Sequence, residues 1–263
     1  MPDALVIRTA GTNCDEELCR AFELAGATVR TLHLDRLVRD PSPLTDADLV
    51  GLPGGFSYGD DIASGRVFAA RARAALYRPL ADAVDRGGCI IGVCNGFQVL
   101  VQCGLLPGPV EGGAWPEDPA PAEMSLAENQ SARFVDRWAA IDPVLGSKCV
   151  WTRGLEPDDE LLRFPSAHGE GRLTGPRELL DRLEQQGQVA LRYADNFNGS
   201  DRAIAGVCDA TGRVLGLMPH PERYLDWNRH PWASRLAAEQ RAGDTPGLRL
   251  FRNAVEAVSP SAV

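Results

Sequence analysis

The chain has 263 residues, of which 44% are hydrophobic and 24% charged, and its formal net charge is −9. This composition is typical of a globular protein, and the length suits one α/β domain with or without insertions. The acidic balance and the lack of a basic stripe argue against nucleic-acid binding. The sequence lacks the features of a secretory signal and any apolar run long enough to cross a membrane, so we expect a cytoplasmic protein without membrane contact.

The first hundred residues alternate short apolar runs with amphipathic segments. Strands are predicted at residues 4–9, 27–34, 48–53 and 89–93, a loop at 39–48, and helices at about 15–25, at 66–86 and after Cys94. Asn13 is predicted to cap the first helix, with Glu16 completing a capping box. Pro79 either divides the second helical stretch or begins a new helix within it. This order predicts a doubly wound, mainly parallel sheet flanked by helices.

The pattern changes after Gly104. Residues 107–123 are rich in proline and glycine, which predicts a loop. Further strands are predicted at residues 131–141, 149–152, 189–193, 204–208 and 214–218, and helices at 178–186 and from Pro246 onwards. Thr211-Gly212 separates the last two strands and is typical of a hairpin turn. We expect a small antiparallel portion attached to the sheet and no second complete domain.

The seven cysteines are odd in number and irregularly spaced. No Cys-x-x-Cys pair occurs, and the four histidines do not complete a zinc pattern. We expect free thiols in a reducing compartment, most of them buried as small apolar side chains, and no metal site.

Residues 88–100 have the pattern of a nucleophile elbow. An apolar run ends at Cys94, Gly92 precedes it by two residues, Gly96 follows it by two, and an amphipathic segment begins at once. Small residues must flank the strained turn of such an elbow, and the dipole of the following helix favours a thiolate. A cysteine after an apolar run is more often a core residue, but the two glycines and the helix favour a catalytic nucleophile at Cys94.

His220 and Glu222 are candidates for the base and for the group that orients it. They lie two residues apart just after a predicted strand, so their side chains point to the same side if the segment is extended. Developing negative charge on a substrate oxygen requires N–H donors. We predict that the backbone of Asn95, at the start of the helix, and of Gly54 and Gly55, after the third strand, supplies them.

Other polar residues allow two interpretations. His168 lies in a glycine-rich turn and either shapes the site or is structural, and Asp60 and Asp61 belong to a solvated loop or to a partner contact. The chain has neither a Walker A pattern nor a dinucleotide-binding glycine fingerprint. We therefore expect no cofactor on this chain.

Several segments together resemble a known family. The elbow and the His-Pro-Glu segment are similar to the class I (triad) glutamine amidotransferases. Within that class, the sequence resembles the glutaminase subunits of phosphoribosylformylglycinamidine synthase. The segments that carry this closer resemblance are Gly11-Thr12-Asn13-Cys14-Asp15, Pro53-Gly54-Gly55-Phe56-Ser57-Tyr58-Gly59-Asp60, Gly104-Leu105-Leu106-Pro107, His168-Gly169-Glu170-Gly171, Asn198-Gly199-Ser200 and Met218-Pro219-His220-Pro221-Glu222-Arg223.

The resemblance implies an amidotransferase fold, a thioester mechanism at Cys94, and transfer of ammonia to a large synthetase subunit that binds ATP and Mg²⁺. A small third subunit is also expected. By analogy, Gln98, Phe56, Asn198 and Gly199 are predicted to contact the glutamine substrate. His168, Glu170, Asp60 and Arg66 are predicted to shape the site or the subunit interface. Residues 1–263 are predicted to form one amidotransferase domain, with an insertion at about 107–123 and an extended tail at about 225–263.

Three alternatives remain open from the sequence. The chain could be an amidotransferase subunit of another pathway, such as anthranilate or pyridoxal phosphate synthesis. It could be a cysteine peptidase or hydrolase on the same sheet. A non-catalytic binding module is a third reading, against which the combination of Cys94, His220 and Glu222 argues.

Overall fold

The computed structural model describes residues 1–157 and 159–259. Its strands are β1 (Asp3–Arg8), β2 (Thr28–His33), β3 (Leu49–Leu52), β4 (Cys89–Val93), β5 (Ser125–Glu128), β6 (Val135–Pro143), β7 (Arg163–His168), β8 (Glu170–Thr174), β9 (Val189–Tyr193), β10 (Ile204–Cys208) and β11 (Val214–Leu217). Its helices are α1 (Asp15–Ala25), α2 (Leu34–Arg39), α3 (Arg66–Ala75), α4 (Tyr77–Asp85), α5 (Asn95–Cys103), α6 (Arg177–Gln185) and α7 (Pro246–Val258). Residues 260–263 of the predicted tail lie outside the described residues.

Within the described residues, nine strands form one sheet in the order β2-β1-β3-β4-β11-β10-β9-β6-β7, and β5 pairs with β8 separately. Neighbours from β2 to β11 pair in parallel. Neighbours from β11 to β7 pair antiparallel. The predicted doubly wound α/β fold class is confirmed, and the antiparallel portion extends the sheet beyond β11.

Helices cover both faces of the parallel part of the sheet. A side chain at Gly51 would meet Leu18 and Phe22 of α1, whereas the neighbouring Leu52 packs against Gly96 of α5. Because successive strand residues point to opposite faces, α1 and α5 lie on opposite sides of β3. This double covering explains why β3 and β4 are buried along their whole length.

The start of α1 differs from the prediction. Its N-cap is Cys14, without a side-chain cap, so the capping box predicted for Asn13 and Glu16 is wrong. The backbone N–H groups of Asn13 and Cys14 instead both donate to the carbonyl of Gly54, at 3.2 Å each. This segment is therefore fixed to the loop that follows β3, and that tertiary contact replaces the local cap.

Other elements also differ from the prediction, since β5, β7 and β8 were not predicted. Residues 149–152 form no strand. The short helix α2 occupies the stretch between the predicted second strand and the predicted loop, for which no element was predicted. The break between α3 and α4 falls at Leu76, and Pro79 lies in the first turn of α4, where a missing N–H costs little. Trp151 explains the irregular backbone at 149–152, because its side chain is fully buried and its indole donates to the carbonyl of Arg213 at 2.9 Å.

Residues 107–123 form no helix or strand, as predicted. Arginine side chains attach this loop to the helices: Arg73 donates to the carbonyls of Pro119 and Ala120, and Arg78 donates to the carbonyl of Trp115. None of the helices in the described part of the chain is long and apolar enough to cross a membrane.

Candidate active site

Cys94 lies in the sharp turn between β4 and α5. Its backbone has φ 52° and ψ −108°, a conformation that costs free energy in a residue with a side chain. The N–H of Cys94 donates to the carbonyl of Leu217 at 2.8 Å, which fixes the turn to β11. A side chain at Gly96 would lie 1.9 Å from the carbonyl oxygen of Leu52, so only glycine lets α5 approach β3 this closely. The geometry is that of a nucleophile elbow.

His220 and Glu222 follow β11 and are both buried, with exposures of 2% and 1%. His220 Nδ1 lies 2.7 Å from Glu222 Oε1. Burial favours the neutral ring, but the charge of Glu222 and the nearby thiol groups hold the pKa of His220 well above its ordinary value. The pair therefore favours an imidazolium that donates its Nδ1 proton to a carboxylate.

The loop after β3 closes over the same place. A side-chain carbon at Gly54 would lie 2.7 Å from His220 Cε1, 3.3 Å from Cys94 Cβ and 3.4 Å from Cys14 Sγ. Gly54 therefore lies against the imidazole and both cysteines, and the sequence prediction that this loop adjoins Cys94 agrees with the geometry. Asn95 is the first residue of α5, and the first N–H groups of a helix have no partner within it.

A cavity of about 390 Å³ opens onto Cys94 and His220. Six other residues predicted from the sequence line it: Gly55, Phe56, Asp60, Gln98, His168 and Glu170. The Cys94 thiol lies 3.8 Å from the carbonyl oxygen of Ala167, on the opposite wall. The cavity is large enough for an amino-acid-sized ligand to reach the sulfur.

Side-chain amides connect the elbow to the cavity wall. Gln98 Nε2 donates to the backbone carbonyl of Glu170 at 2.6 Å. Asn95 Nδ2 donates to Gln98 Oε1 at 3.1 Å and to Asp60 Oδ1 at 3.2 Å. Burial is the main cause that raises the pKa of Asp60. Gln98 therefore holds the 168–171 turn in place, since both ends of its amide bond protein groups.

His168 is a neutral side chain on this wall. Asn129 Nδ2 donates to the carbonyls of His168 and Arg133, so Asn129 Oδ1 is the atom that faces His168 Nδ1, 3.0 Å away. Nδ1 consequently carries the proton, and Nε2 has no hydrogen-bond partner among the described residues. Burial, together with the nearby His220, lowers the pKa of His168 to about 4.

Three of the residues predicted to contact the substrate or to shape the site or the interface do not line the cavity. Asn198 is fully buried, donates to the carbonyl of Gly171 and accepts from the N–H of Ser200, so its amide supports the backbone around β8. Gly199 lies next to it, against Gln130. Arg66 begins α3 with an exposed side chain. The geometry gives these residues no contact with a ligand in the cavity.

Cys14 and Arg223 are among the cavity residues that were not predicted as site residues from the sequence. Arg223 Nη2 donates to Cys14 Sγ at 3.1 Å, and both residues line the cavity. Periodicity could not reveal this contact, since it joins residues 209 positions apart. Cys14 follows β1 and Arg223 follows β11, and both strands belong to the parallel part of the sheet. This placement after parallel strands is the sequence feature that predicts both residues at the carboxyl edge of the sheet.

Comparison with known proteins gives the family. Residues 1–258 match the model of the CobB/CobQ-like glutamine amidotransferase domain. The chain belongs to this amidotransferase family. The sequence is 41% identical to the phosphoribosylformylglycinamidine synthase subunit PurQ of Dehalococcoides mccartyi, over 96% of each chain. It is 34% identical to the protein of that name in Methanococcus maripaludis, over 97% of each chain.

A solved structure agrees with the sequence relatives. The fold matches a chain in the structure of PurLQS from Thermotoga maritima with a TM-score of 0.73 and 32% identity, over 98% of this chain and 99% of that chain. The resemblance to these glutaminase subunits that the sequence motifs predict is therefore confirmed. The elbow and the His-Pro-Glu segment are features that this amidotransferase brings together at one cavity.

Proposed function

We propose that this chain is the glutaminase subunit of phosphoribosylformylglycinamidine synthase. It hydrolyses glutamine to glutamate and passes the ammonia to a separate synthetase subunit, which converts formylglycinamide ribonucleotide to the amidine in purine biosynthesis. One observation carries the proposal: a strained cysteine and a buried His–Glu pair meet at one cavity, in a chain 41% identical to a named subunit of that synthase.

The reaction starts from the Cys94 thiolate beside the His220 imidazolium, the pair that forms when Cys94 gives its proton to the ring. Glu222 holds Nδ1 of the imidazole, so Nε2 is the nitrogen that accepts the proton. The thiolate then attacks the side-chain carbonyl carbon of glutamine, and the carbonyl electrons move to oxygen. Backbone N–H groups of Asn95 and of the Gly54-Gly55 loop stabilise that oxyanion.

The tetrahedral intermediate collapses when His220 returns its proton to the leaving nitrogen, which departs as ammonia. The γ-glutamyl group remains on Cys94 as a thioester. Water, activated by the same imidazole, then attacks the thioester and releases glutamate, which regenerates the thiol. No step of this hydrolysis requires a cofactor on this chain.

The step that consumes the ammonia takes place on the synthetase subunit. ATP and Mg²⁺ are assigned to the synthetase subunit, and a small third subunit is expected in the complex. Neither nucleic acid nor a membrane takes part, and the proposed compartment is the cytoplasm.

The test uses the assembled complex. Cys94→Ser is expected to abolish amidine formation with glutamine as nitrogen donor and to leave formation with ammonium chloride intact, because only the glutaminase step needs the thiol. Cys19→Ser, which changes a thiol on α1 hydrogen-bonded to Thr31, is the control and should retain both activities. Loss of both activities in a folded Cys94→Ser complex would contradict the division between the subunits. A glutamine-analogue electrophile should also label Cys94 before the other six thiols.

A further inference from the structure

A second thiol lies beside the proposed base and has no part in the reaction. Within the described residues, Cys14, His220 and Glu222 form a group in which one sulfur, one ring nitrogen and one carboxylate oxygen all lie within 4.8 Å of one another. All three side chains are buried, with exposures of 2%, 2% and 1%. Because Cys14 and His220 line the cavity, a small ion can reach the group from solvent.

The donor set has the chemistry of a zinc site. Thiolate sulfur, imidazole nitrogen and carboxylate oxygen are the three ligand types that zinc binds, at about 2.0–2.3 Å. Ligands of one tetrahedral zinc therefore lie roughly 3.5 Å apart. The three candidate ligand atoms lie within 4.8 Å of one another, which is close to that spacing.

The Glu222 carboxylate also favours a cation in this group. Glu222 Oε1 lies 2.7 Å from His220 Nδ1, but the buried Oε2 has no hydrogen-bond partner among the described residues. A carboxylate oxygen left without a donor in the interior is destabilised, and a metal ion would satisfy it. A thiolate and a carboxylate together neutralise the charge of one divalent ion. Arg223, which donates to Cys14 Sγ, already places a cation at the sulfur and is the group that zinc must displace.

We propose that Cys14, His220 and Glu222 form an inhibitory zinc site, with water as a fourth ligand. Zinc replaces the thiol proton of Cys14 and any proton on the ligating ring nitrogen, and these protons pass to solvent. With one nitrogen on zinc, the other nitrogen of a neutral imidazole carries a proton, so His220 cannot accept the proton of Cys94. Binding itself does not depend on the proposed function, but inhibition of glutamine hydrolysis rests on it.

The experiment measures binding and activity separately on the full chain. Zn²⁺ is titrated in competition with a chromophoric chelator, and Co²⁺ serves as a spectroscopic substitute that gives a thiolate-to-metal charge-transfer band. We expect one tight site per chain, a fall in glutaminase activity that follows its occupancy, and recovery on adding a chelator. Zinc should also protect Cys14 from alkylation in the unmodified sequence, as read by peptide mass, and this measurement needs no variant.

Two serine variants and a control locate the site. Cys14→Ser should weaken zinc binding at least about 100-fold and remove the charge-transfer band, while Cys19→Ser should change neither. Cys94→Ser, although inactive, should keep both binding and the band. If Cys14→Ser keeps zinc binding and the charge-transfer band while Cys94→Ser loses both, the nucleophile holds the metal and the proposal is overturned. The absence of any tight zinc site would also overturn it. A chain that binds zinc through Cys14 but shows no metal-free glutaminase activity, alone or with its synthetase, would contradict the proposed function instead.

Discussion

Gly54 lies against both the imidazole of His220 and the Cys94 side chain and leaves no room for a methyl group. In Gly54→Ala the new carbon would lie 2.7 Å from His220 Cε1, so the ring or the loop must shift from its present position. A misplacement of about 1 Å at a reacting group costs on the order of 10²-fold in rate, and we expect kcat/KM for glutamine hydrolysis to fall by about that factor.

Steady-state glutaminase assays check this prediction. Gly169→Ala is the matched control, since the same methyl group on the same cavity would meet its nearest neighbour, a ring carbon of Phe134, at 3.8 Å. Equal activity of the two variants would show that the position of the imidazole does not limit catalysis.

The His220–Glu222 pair predicts a pH-dependent contribution to stability. Folding raises the pKa of His220 above 6.5, so the folded state binds the proton more tightly than the unfolded state. The stabilisation is fully present below pH 6.5, and it is lost as the pH rises through the raised pKa of His220. Glu222→Gln removes the charge that contributes most to this rise in the pKa of His220.

Urea unfolding at a series of pH values measures the difference in free energy of unfolding between Glu222→Gln and the unmodified chain. We expect the difference to be largest near pH 6 and to shrink in alkaline solution. A difference in free energy of unfolding that does not vary with pH would mean that Glu222 does not raise the pKa of His220 in the folded chain.

The sequence predicts the three proposed catalytic residues because each lies at a fixed offset from a strand end or a turn. Cys94 follows a fully apolar strand between two glycines, and His220 and Glu222 share one side of a short segment. Cys14 and Arg223 are missed because their partners are supplied by tertiary structure. The role predicted for Asn198 also depends on tertiary structure, which places its side-chain amide in hydrogen bonds with backbone groups around β8.

At the scale of elements, the buried strands β3 and β4 are predicted well and the 149–152 segment is predicted wrongly. Continuous apolar runs bounded by turns are typical of strands in a doubly covered sheet. The apolar run at 149–152 instead places Trp151 between Phe22 of α1 and Phe251 of α7, with ring centroids 6.4 and 6.1 Å away. A short apolar run alone does not distinguish these two outcomes.

Trp151 should therefore stabilise the contact between α1 and α7. Asn253 of α7 also donates to the Trp151 carbonyl at 2.7 Å. Trp151→Ala is expected to lower the free energy of unfolding by about 3–5 kcal/mol, because it opens a cavity at a fully buried position. Denaturant unfolding measures the loss. Trp227→Ala, at a partly exposed tryptophan, is the control and should cost much less, and a loss below about 1 kcal/mol for Trp151→Ala would contradict this role.

At the scale of the molecule, exposed apolar side chains gather at the mouth of the cavity. Phe56 and Phe134 are 50% and 55% exposed, line the cavity, and have ring centroids 6.4 Å apart. Ile62, 69% exposed, belongs to the loop whose Asp60 and Ser64 reach the same cavity. Exposed apolar clusters mark contact surfaces, and ammonia released at Cys94 must pass to a partner without escaping into solvent. We therefore expect the synthetase subunit to cover this mouth.

Ile62→Asp tests that expectation away from the cavity wall. A charge at this position should weaken docking of the synthetase subunit, because the carboxylate loses water when the surface is covered. We expect the synthetase concentration that half-saturates glutamine-dependent synthesis to rise about tenfold, an effect of about 1.4 kcal/mol, with unchanged glutaminase activity of the free chain. Leu145→Asp is the matched control, since Leu145 is 77% exposed and lies far from the cavity wall along β6. Leu145 follows the C-terminal end of this strand, whereas His168 pairs with Val135 at its N-terminal end. Titration of each variant with the synthetase decides the question, and equal half-saturation for both would place the partner on another face.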